Sequence, residues 1–93
     1  MRFYVYLIIS KKINKYTSYV GYTKNVKKRL ELHNKSKGAK FTRGQNWILA
    51  YSKTYKNKSI AMKEEYKLKK NYLLRSKLKI DYLHNENIYF TSI

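Results

Sequence analysis

The fold of this chain depends most on Phe3-Tyr4-Val5-Tyr6-Leu7-Ile8-Ile9, an unbroken run of aromatic and β-branched residues. Residues 2–9 therefore predict a strand that is buried on both faces. The polar segment Lys11–Thr17 predicts a loop, and Ser18–Tyr22 predicts a second, short strand. Because only a short connection separates the two strands, an antiparallel hairpin is the simplest arrangement.

A basic helix is predicted directly after the hairpin, over residues 25–35. Thr23 or Asn25 can cap its first turn, since both side chains accept hydrogen bonds from free backbone N–H groups. The residues that share its inner face, at spacings of three and four, are Val26, Leu30 and His33.

Further elements are predicted along the rest of the chain. They are a short helical turn at 39–42, a strand at 47–55, a helix at 60–72 with Ser59 as its N-cap, a helix at 76–84, and a tail at 87–93 that is ambiguous between strand and coil. No proline, repeat or linker divides the chain. We therefore expect one α+β domain over residues 1–93, a small three-stranded antiparallel sheet flanked by helices.

The composition points to a polyanionic partner. The 93 residues carry 22 Lys+Arg against 5 Asp+Glu, a formal net charge of +17. Such a charge opposes compaction unless it is used, and binding of phosphates with release of counterions is its natural use. A membrane surface or an acidic protein is the alternative. Only four of the basic residues are arginine, so each arginine is more informative than a lysine.

Other functional classes are disfavoured by what the sequence lacks. There is no cysteine, which excludes disulfides and thiolate metal sites. The apolar start is too short to span a bilayer and has no small-residue cleavage site. We expect a cytoplasmic protein with no membrane segment, associated with the nucleoid if it is bacterial.

Glu65 is the most informative acid. On the predicted helix 60–72 it falls in a stripe with Ala61, Leu68 and Tyr72, whereas Glu64 lies outside that stripe and is expected to be solvated. A carboxylate among apolar residues is costly unless a cation meets it. Either Glu65 pairs with a buried lysine or a tyrosine hydroxyl, or it holds one hard metal ion whose other ligands are water and substrate phosphate.

Arg29 and His33 are one helical turn apart and project together. An arginine can grip a phosphate with two hydrogen bonds and stabilise charge that develops on it. A histidine can shuttle a proton or orient a water molecule. The alternatives are a solvated cation for Arg29 and a histidine at the edge of the core for His33.

Two tyrosines differ from the other nine. If the first two strands form a hairpin, Tyr6 and Tyr19 reach the same sheet face near the first helix. Gly21 would then permit close approach of a backbone or a phosphate. Otherwise both tyrosines are core or stacking residues.

A basic loop follows the first helix. The loop contains the basic residues Lys35, Lys37, Lys40 and Arg43 and the aromatic residue Phe41. The helix before it adds Lys27 and Lys28. Basic residues with an aromatic among them suit contact with a phosphate backbone and stacking on bases. The alternative is a solvated, lysine-rich loop.

Several segments in order carry a family resemblance. They are Tyr4-Val5-Tyr6, Tyr19-Val20-Gly21, Asn25-Val26-Lys27-Lys28-Arg29-Leu30, Leu32-His33-Asn34, Gly38-Ala39-Lys40-Phe41-Thr42-Arg43-Gly44, and Ala61-Met62-Lys63-Glu64-Glu65 followed by Leu68-Lys69-Lys70. Together they resemble the GIY-YIG nuclease domain over about residues 3–75, and in particular its small stand-alone bacterial members. These members are themselves similar to the nuclease half of a class of structure-specific endonucleases.

The resemblance implies an endonuclease that hydrolyses phosphodiester bonds in DNA, directed by structure or single strands, with little sequence specificity and a role in DNA repair. It implies that Glu65 holds Mg²⁺ or Mn²⁺ and that Tyr6 is the general base, helped by His33. Arg29 would stabilise the phosphate and Tyr19 would position water or phosphate. The pKa of Tyr6, ordinarily about 10, would have to be lowered by Arg29 and the metal.

The chain departs from the family pattern at two places. Tyr22 stands where excision-repair members carry lysine, and Lys77 or its neighbours stand where some members have asparagine, Asn71 coming too early to replace it. Two other functions therefore stay open: a nucleic-acid-binding module without catalysis, and a nuclease subunit that needs a protein partner.

Overall fold

The computed structural model describes residues 2–12 and 15–91, excluding the side chains of residues 12 and 85–91. The elements in chain order are β1 (Phe3–Lys12), β2 (Lys15–Thr23), α1 (Val26–Asn34), a 3₁₀ turn (Lys40–Thr42), β3 (Ile48–Tyr55), α2 (Lys58–Lys70) and α3 (Tyr72–Thr91). The strands form one antiparallel sheet in the order β2-β1-β3. The predicted α+β fold with a three-stranded antiparallel sheet is confirmed.

The central strand β1 is buried as predicted, without interruption from Val5 to Ser10. It pairs with β2 in the predicted hairpin, with Tyr6 opposite Gly21. The predicted loop at 11–17 is wrong, because β1 continues to Lys12 and β2 begins at Lys15. Ladder hydrogen bonds use the backbone, so polar residues at the outer end of a hairpin can still extend it. Residues 13 and 14 lie outside the described part of the chain.

Side chains alternate between two clusters on opposite faces of the sheet. The α2-side cluster consists of Val5, Leu7, Val20, Ala61 and Leu68. The α1-side cluster consists of Tyr6, Ile8 and Trp47, with Tyr19, Val26, Leu30 and Leu49 packed against it. This alternation is the period of two that a strand imposes. It places the predicted apolar face of α1, including buried His33, beside Tyr6.

The helix starts are set by asparagine side chains. Asn25 caps α1 by accepting a hydrogen bond from the Lys28 amide at 3.0 Å. Asn57 caps α2 by accepting from the Ile60 amide at 2.9 Å. The prediction of Ser59 as the second cap is therefore wrong. Asn57 fulfils the same requirement earlier in the chain, and α2 begins at Lys58.

The C-terminal helices differ most from prediction. Asn71 ends α2, and its side chain accepts from the Leu74 amide at 3.0 Å, which starts a new helix. Tyr72 therefore belongs to α3 and is 68% exposed, outside the apolar stripe that contains Glu65. The predicted helix at 76–84 is too short, because α3 extends from Tyr72 to Thr91. The ambiguous tail is thus helical as far as it is described. Among the described residues, no helix is both long and apolar enough to cross a membrane.

Candidate active site

A surface cleft gathers residues from four elements. It is lined by Tyr6 of β1, Tyr19, Gly21 and Tyr22 of β2, Arg29 of α1, and Glu65 of α2. Four of the five predicted catalytic residues thus lie around one cleft. The fifth, His33, is completely buried and touches Tyr6. Tyr22, which replaces the lysine expected from the resemblance, also lies in the wall.

Tyr6 and His33 form a hydrogen-bonded pair. The Tyr6 hydroxyl lies 2.8 Å from Nε2 of His33, and both side chains are at most 2% exposed. The rings of Tyr19 and His33 pack edge to face, with their centroids 5.1 Å apart. The two tyrosines therefore reach one sheet face, as the hairpin predicted. Their common neighbour is the histidine.

Thr42 is a site residue that the sequence reasoning missed. It is fully buried at the end of the 3₁₀ turn, and its hydroxyl oxygen lies 2.9 Å from Nδ1 of His33. In the sequence it stands between Phe41 and Arg43 of the basic loop, where a threonine looks solvated. The short helical turn predicted at 39–42 could have indicated Thr42, because such a turn can direct one of its side chains inward.

Burial governs protonation in the pair. It raises the pKa of Tyr6 above its ordinary value of 10.0, and the Arg29 guanidinium opposes that rise. The expectation that Arg29 lowers the pKa of Tyr6 is correct in sign, but burial outweighs it in the protein alone. Burial, followed by the charge of Arg29, lowers the pKa of His33 below 6.5. His33 is therefore a neutral imidazole at neutral pH, able to accept a proton.

Two glycines make room for the pair. A Cβ atom at Gly21 would overlap the Tyr6 hydroxyl and ring, and one at Gly38 would overlap the His33 ring. The space that Gly21 leaves is thus filled by a protein side chain. Both glycines are required sterically, because the overlapping groups are parts of rings held in the core.

Arg29 is held in place from one side. Its Nη2 donates a hydrogen bond to the Gly38 carbonyl at 3.3 Å, and its side chain is half-buried in the cleft wall. It is therefore not simply a solvated cation on a basic helix. The same hydrogen bond ties α1 to the segment that carries Thr42.

The carboxylate of Glu65 is 15% exposed and pairs with Lys69, with 3.4 Å between Oε2 and Nζ. A lysine partner was one of the two predicted alternatives, although Lys69 is half-exposed and not buried. Glu64, predicted to be solvated, is instead 32% exposed and pairs with Lys67 at 3.1 Å. It faces a different cavity, next to Tyr55 of β3.

The donor set in the cleft suits only one kind of metal site. Within residues 2–12 and 15–91, no group of three or more His, Cys, Asp or Glu side chains is placed to enclose a metal ion. A site built on Glu65 would supply one carboxylate. That is how Mg²⁺ is often bound, with waters and substrate phosphate completing its shell. The residues present fit such an ion and do not fit a fully protein-coordinated metal.

The family model of the GIY-YIG catalytic domain matches residues 2–79. This chain belongs to the GIY-YIG family. GIY-YIG domains have a nuclease-type fold, and those that are nucleases act on nucleic acid.

Similar GIY-YIG relatives are small proteins of nearly the same length. A UPF0213 protein of Oceanobacillus iheyensis is 45% identical over 71% of this chain and 74% of its own. A UPF0213 protein of Staphylococcus epidermidis is 41% identical over 83% of this chain and 90% of its own. The solution NMR structure of a UPF0213 protein from Bacillus halodurans is 33% identical, with a TM-score of 0.46, and covers 87% of this chain and 84% of that one.

The basic surface of this GIY-YIG domain adjoins the cleft. The predicted nucleic-acid contacts are all exposed to solvent: Lys27, Lys28, Lys35, Lys37, Lys40, Phe41 and Arg43. Phe41 is 55% exposed, and its ring stacks on Tyr19 with the planes at 21° and the centroids 6.0 Å apart. The loop is therefore anchored to the cleft at Phe41, while its cations remain free to meet phosphate.

Proposed function

We propose that this GIY-YIG protein is a divalent-metal-dependent endonuclease that hydrolyses phosphodiester bonds in DNA with little sequence specificity. One observation supports this most strongly. A single cleft brings together a hydrogen-bonded Tyr6–His33 pair, the Arg29 guanidinium and the Glu65 carboxylate. Hydrolysis of a phosphodiester needs a base, a charge-stabilising donor and a cation site, and these residues can supply all three.

The Tyr6–His33 pair is suited to activate water. A tyrosine with a raised pKa holds its proton at neutral pH and cannot act as a base by itself. Neutral His33, 2.8 Å away at Nε2, is placed to take that proton. Burial by itself opposes charge on either side chain, and the charge of Arg29 is what favours the phenolate of Tyr6. The phenolate oxygen of Tyr6 can then accept a proton from an attacking water molecule. Tyr19, whose ring packs against His33, would help to position the water or the phosphate.

Arg29 is suited to stabilise the phosphate. Its guanidinium is already oriented by the Gly38 carbonyl, so little ordering is needed when a substrate arrives. Donors fixed in advance are more effective at developing charge than mobile ones. Its remaining N–H groups can reach an anionic oxygen in the cleft that it lines.

Glu65 would hold Mg²⁺ or Mn²⁺. When bound, the ion supplies Lewis-acid polarisation of the phosphate and neutralises the leaving oxygen. Lys69 is the present partner of the carboxylate, as expected for an acid in so basic a chain.

The substrate class is proposed from the surface beside the cleft. Six exposed cations lie on α1 and on the loop after it, and Phe41 of that loop, which packs on Tyr19 of the cleft, remains 55% exposed and available to a base. Unpaired bases can stack on an aromatic ring, whereas bases inside a duplex cannot reach one. We therefore favour branched or single-stranded DNA over intact duplex.

The test is cleavage of a branched oligonucleotide with Mg²⁺ by the parent, by Glu65→Ala and by Glu64→Ala. The two glutamates are adjacent on α2, and each pairs with a lysine, but only Glu65 lines the cleft. Glu65→Ala should reduce cleavage roughly 1,000-fold, because a catalytic metal contributes several kcal/mol and each 1.36 kcal/mol is tenfold. Glu64→Ala should cleave like the parent. Equal rates for the parent and Glu65→Ala would reject the assignment.

A second candidate is a nucleic-acid-binding module without catalysis. The Glu65–Lys69 pair favours it, because a carboxylate that already has a cationic partner is a weaker metal ligand. This candidate predicts salt-sensitive binding that does not depend on Glu65, and no cleavage with any divalent ion.

A further inference from the structure

The Thr42 hydroxyl oxygen has three polar neighbours and no access to solvent. It lies 2.9 Å from the Ala39 carbonyl oxygen, 3.3 Å from the Ala39 amide nitrogen and 2.9 Å from Nδ1 of His33. A hydroxyl has one hydrogen to donate and two lone pairs that accept. The three contacts therefore use its full capacity.

The direction of each hydrogen bond follows by elimination. A carbonyl oxygen can only accept, so the single Thr42 hydrogen must point to Ala39 O. The Ala39 amide can only donate, and it occupies one lone pair. The remaining contact, to Nδ1 of His33, must be one in which Thr42 accepts. Nδ1 therefore carries a hydrogen.

We infer that Thr42 is a positioning residue that fixes His33 as the Nδ1–H tautomer, leaving the Nε2 lone pair to accept the hydrogen of the Tyr6 hydroxyl. A neutral imidazole has one N–H and one lone pair, so a hydrogen at Nδ1 leaves Nε2 bare. The Tyr6 hydroxyl is then the donor in the 2.8 Å contact.

The turn that carries Thr42 is secured from two directions. The Thr42 carbonyl accepts a hydrogen bond from the Trp47 indole N–H at 2.9 Å, and Trp47 is 2% exposed. The Thr42 amide donates to Ala39 O at 3.2 Å. With its backbone fixed in this way, the hydroxyl cannot turn away from His33 without breaking buried hydrogen bonds. Such networks hold a unique arrangement only when every member is satisfied.

The catalytic consequence rests on the proposed function. In the Nδ1–H form, the Tyr6 proton moves to Nε2, Tyr6 becomes a phenolate, and the imidazolium that forms still donates from Nδ1 to Thr42. In the other tautomer, Nε2–H would donate to the Tyr6 oxygen, and His33 could not receive the proton. Thr42 thereby decides which way the proton can travel.

The experiment reads the tautomer directly by long-range ¹H–¹⁵N NMR of the imidazole ring on the ¹⁵N-labelled full chain at neutral pH. The chain has two histidines, and exposed His84 serves as the internal reference. We expect the parent to show His33 with the hydrogen on Nδ1. The Tyr6→Phe variant should show the same, because Thr42 and not Tyr6 sets the tautomer. An Nε2–H signal in either protein would overturn the inference.

Two variants of Thr42 complete the test. Thr42→Val keeps the shape but removes the acceptor, so His33 should shift to a mixture with substantial Nε2–H. Thr42→Ser keeps the hydroxyl and should restore the parent spectrum. A Thr42→Val protein that retains only Nδ1–H would contradict the role of Thr42. If Thr42→Val does not fold, the parent and Tyr6→Phe spectra still decide.

Cleavage separates this inference from the proposed function. With branched DNA and Mg²⁺, Thr42→Val should be about 100-fold slower than the parent, the lower end of what a general base contributes. Thr42→Ser should be close to the parent. Nδ1–H in a parent that cleaves no DNA would reject the proposed function and support the tautomer assignment. A Thr42→Val variant that shifts tautomer but cleaves at the parental rate would overturn the claimed role in proton transfer.

Discussion

The two faces of the sheet bury their residues for different purposes. The α2-side cluster is entirely apolar, with Leu7 completely buried at its centre. The other face buries three polar side chains that form one hydrogen-bonded chain, Tyr6–His33–Thr42. Side chains of β1 reach both faces, so apolar packing and a polar hydrogen-bonded network alternate along a single strand. Neighbouring residues of one strand can therefore have independent roles, provided that their side chains point to opposite faces.

Tyr6→Phe is the strongest test on the polar face. It removes one oxygen and keeps the ring, so we expect DNA cleavage to fall by about 10²- to 10⁴-fold. The free energy of unfolding should fall by about 1–3 kcal/mol, because the substitution leaves the buried Nε2 of His33 without a partner. Single-turnover cleavage and urea unfolding measure the two effects. Tyr16→Phe at the far end of the hairpin is the matched control. If Tyr6→Phe cleaves slowly only because less of the protein is folded, the polar face has no role in cleavage apart from stability.

Leu7→Ala is the corresponding change on the apolar face. Because Leu7 is fully buried, the free energy of unfolding should fall by about 2–5 kcal/mol. Cleavage per folded molecule should stay at the parental rate, since Leu7 does not line the cleft. The measurement is urea unfolding, followed by cleavage at a temperature where the variant is folded. Slower cleavage by fully folded protein would show that the two faces are coupled.

The smallest expected effect concerns the exposed loop beside the polar face. If about five phosphates are contacted, the log–log salt slope of binding should be near −4 to −5 on duplex DNA and about −3 to −4 on a single strand. Replacing Lys40 and Arg43 by alanine should flatten it by roughly one to two units and leave the metal dependence of cleavage unchanged. Exposed Lys56 and Lys63 provide a control that removes the same charge elsewhere. Equal slopes for the two double variants would mean that the loop is only solvated surface.

The sequence predicted the features that depend on short-range pattern. The alternation in β1 and β2 placed Tyr6 and Tyr19 on one face, and the one-turn spacing placed Arg29 and His33 beside them. Two errors, at the start and at the end of α2, share a physical cause, namely competition between alternatives that are equally good locally. In the structure Asn57, and not Ser59, caps α2, and Asn71 ends α2 and begins α3.

Thr42 escaped prediction for another reason. Its partner His33 lies nine residues away across a loop, and no periodicity relates them. The net rise in the pKa of Tyr6 was not predicted, for a similar reason. The residue pattern showed that a cation lay nearby, but the extent of burial depends on the packed structure, and burial outweighs the cation.

Gly21 and Gly38 add a steric requirement to the site, which a list of its reactive groups would not include. At each position, the volume of one methyl group is already taken by a ring of the Tyr6–His33 pair. A relative could carry every tyrosine, arginine, histidine and glutamate of this cleft and still be unable to form the pair if alanine stood at either place. Deciding which related chains can form the Tyr6–His33 pair therefore means inspecting two positions for empty space, 17 residues apart in sequence, as well as the positions of the pair itself.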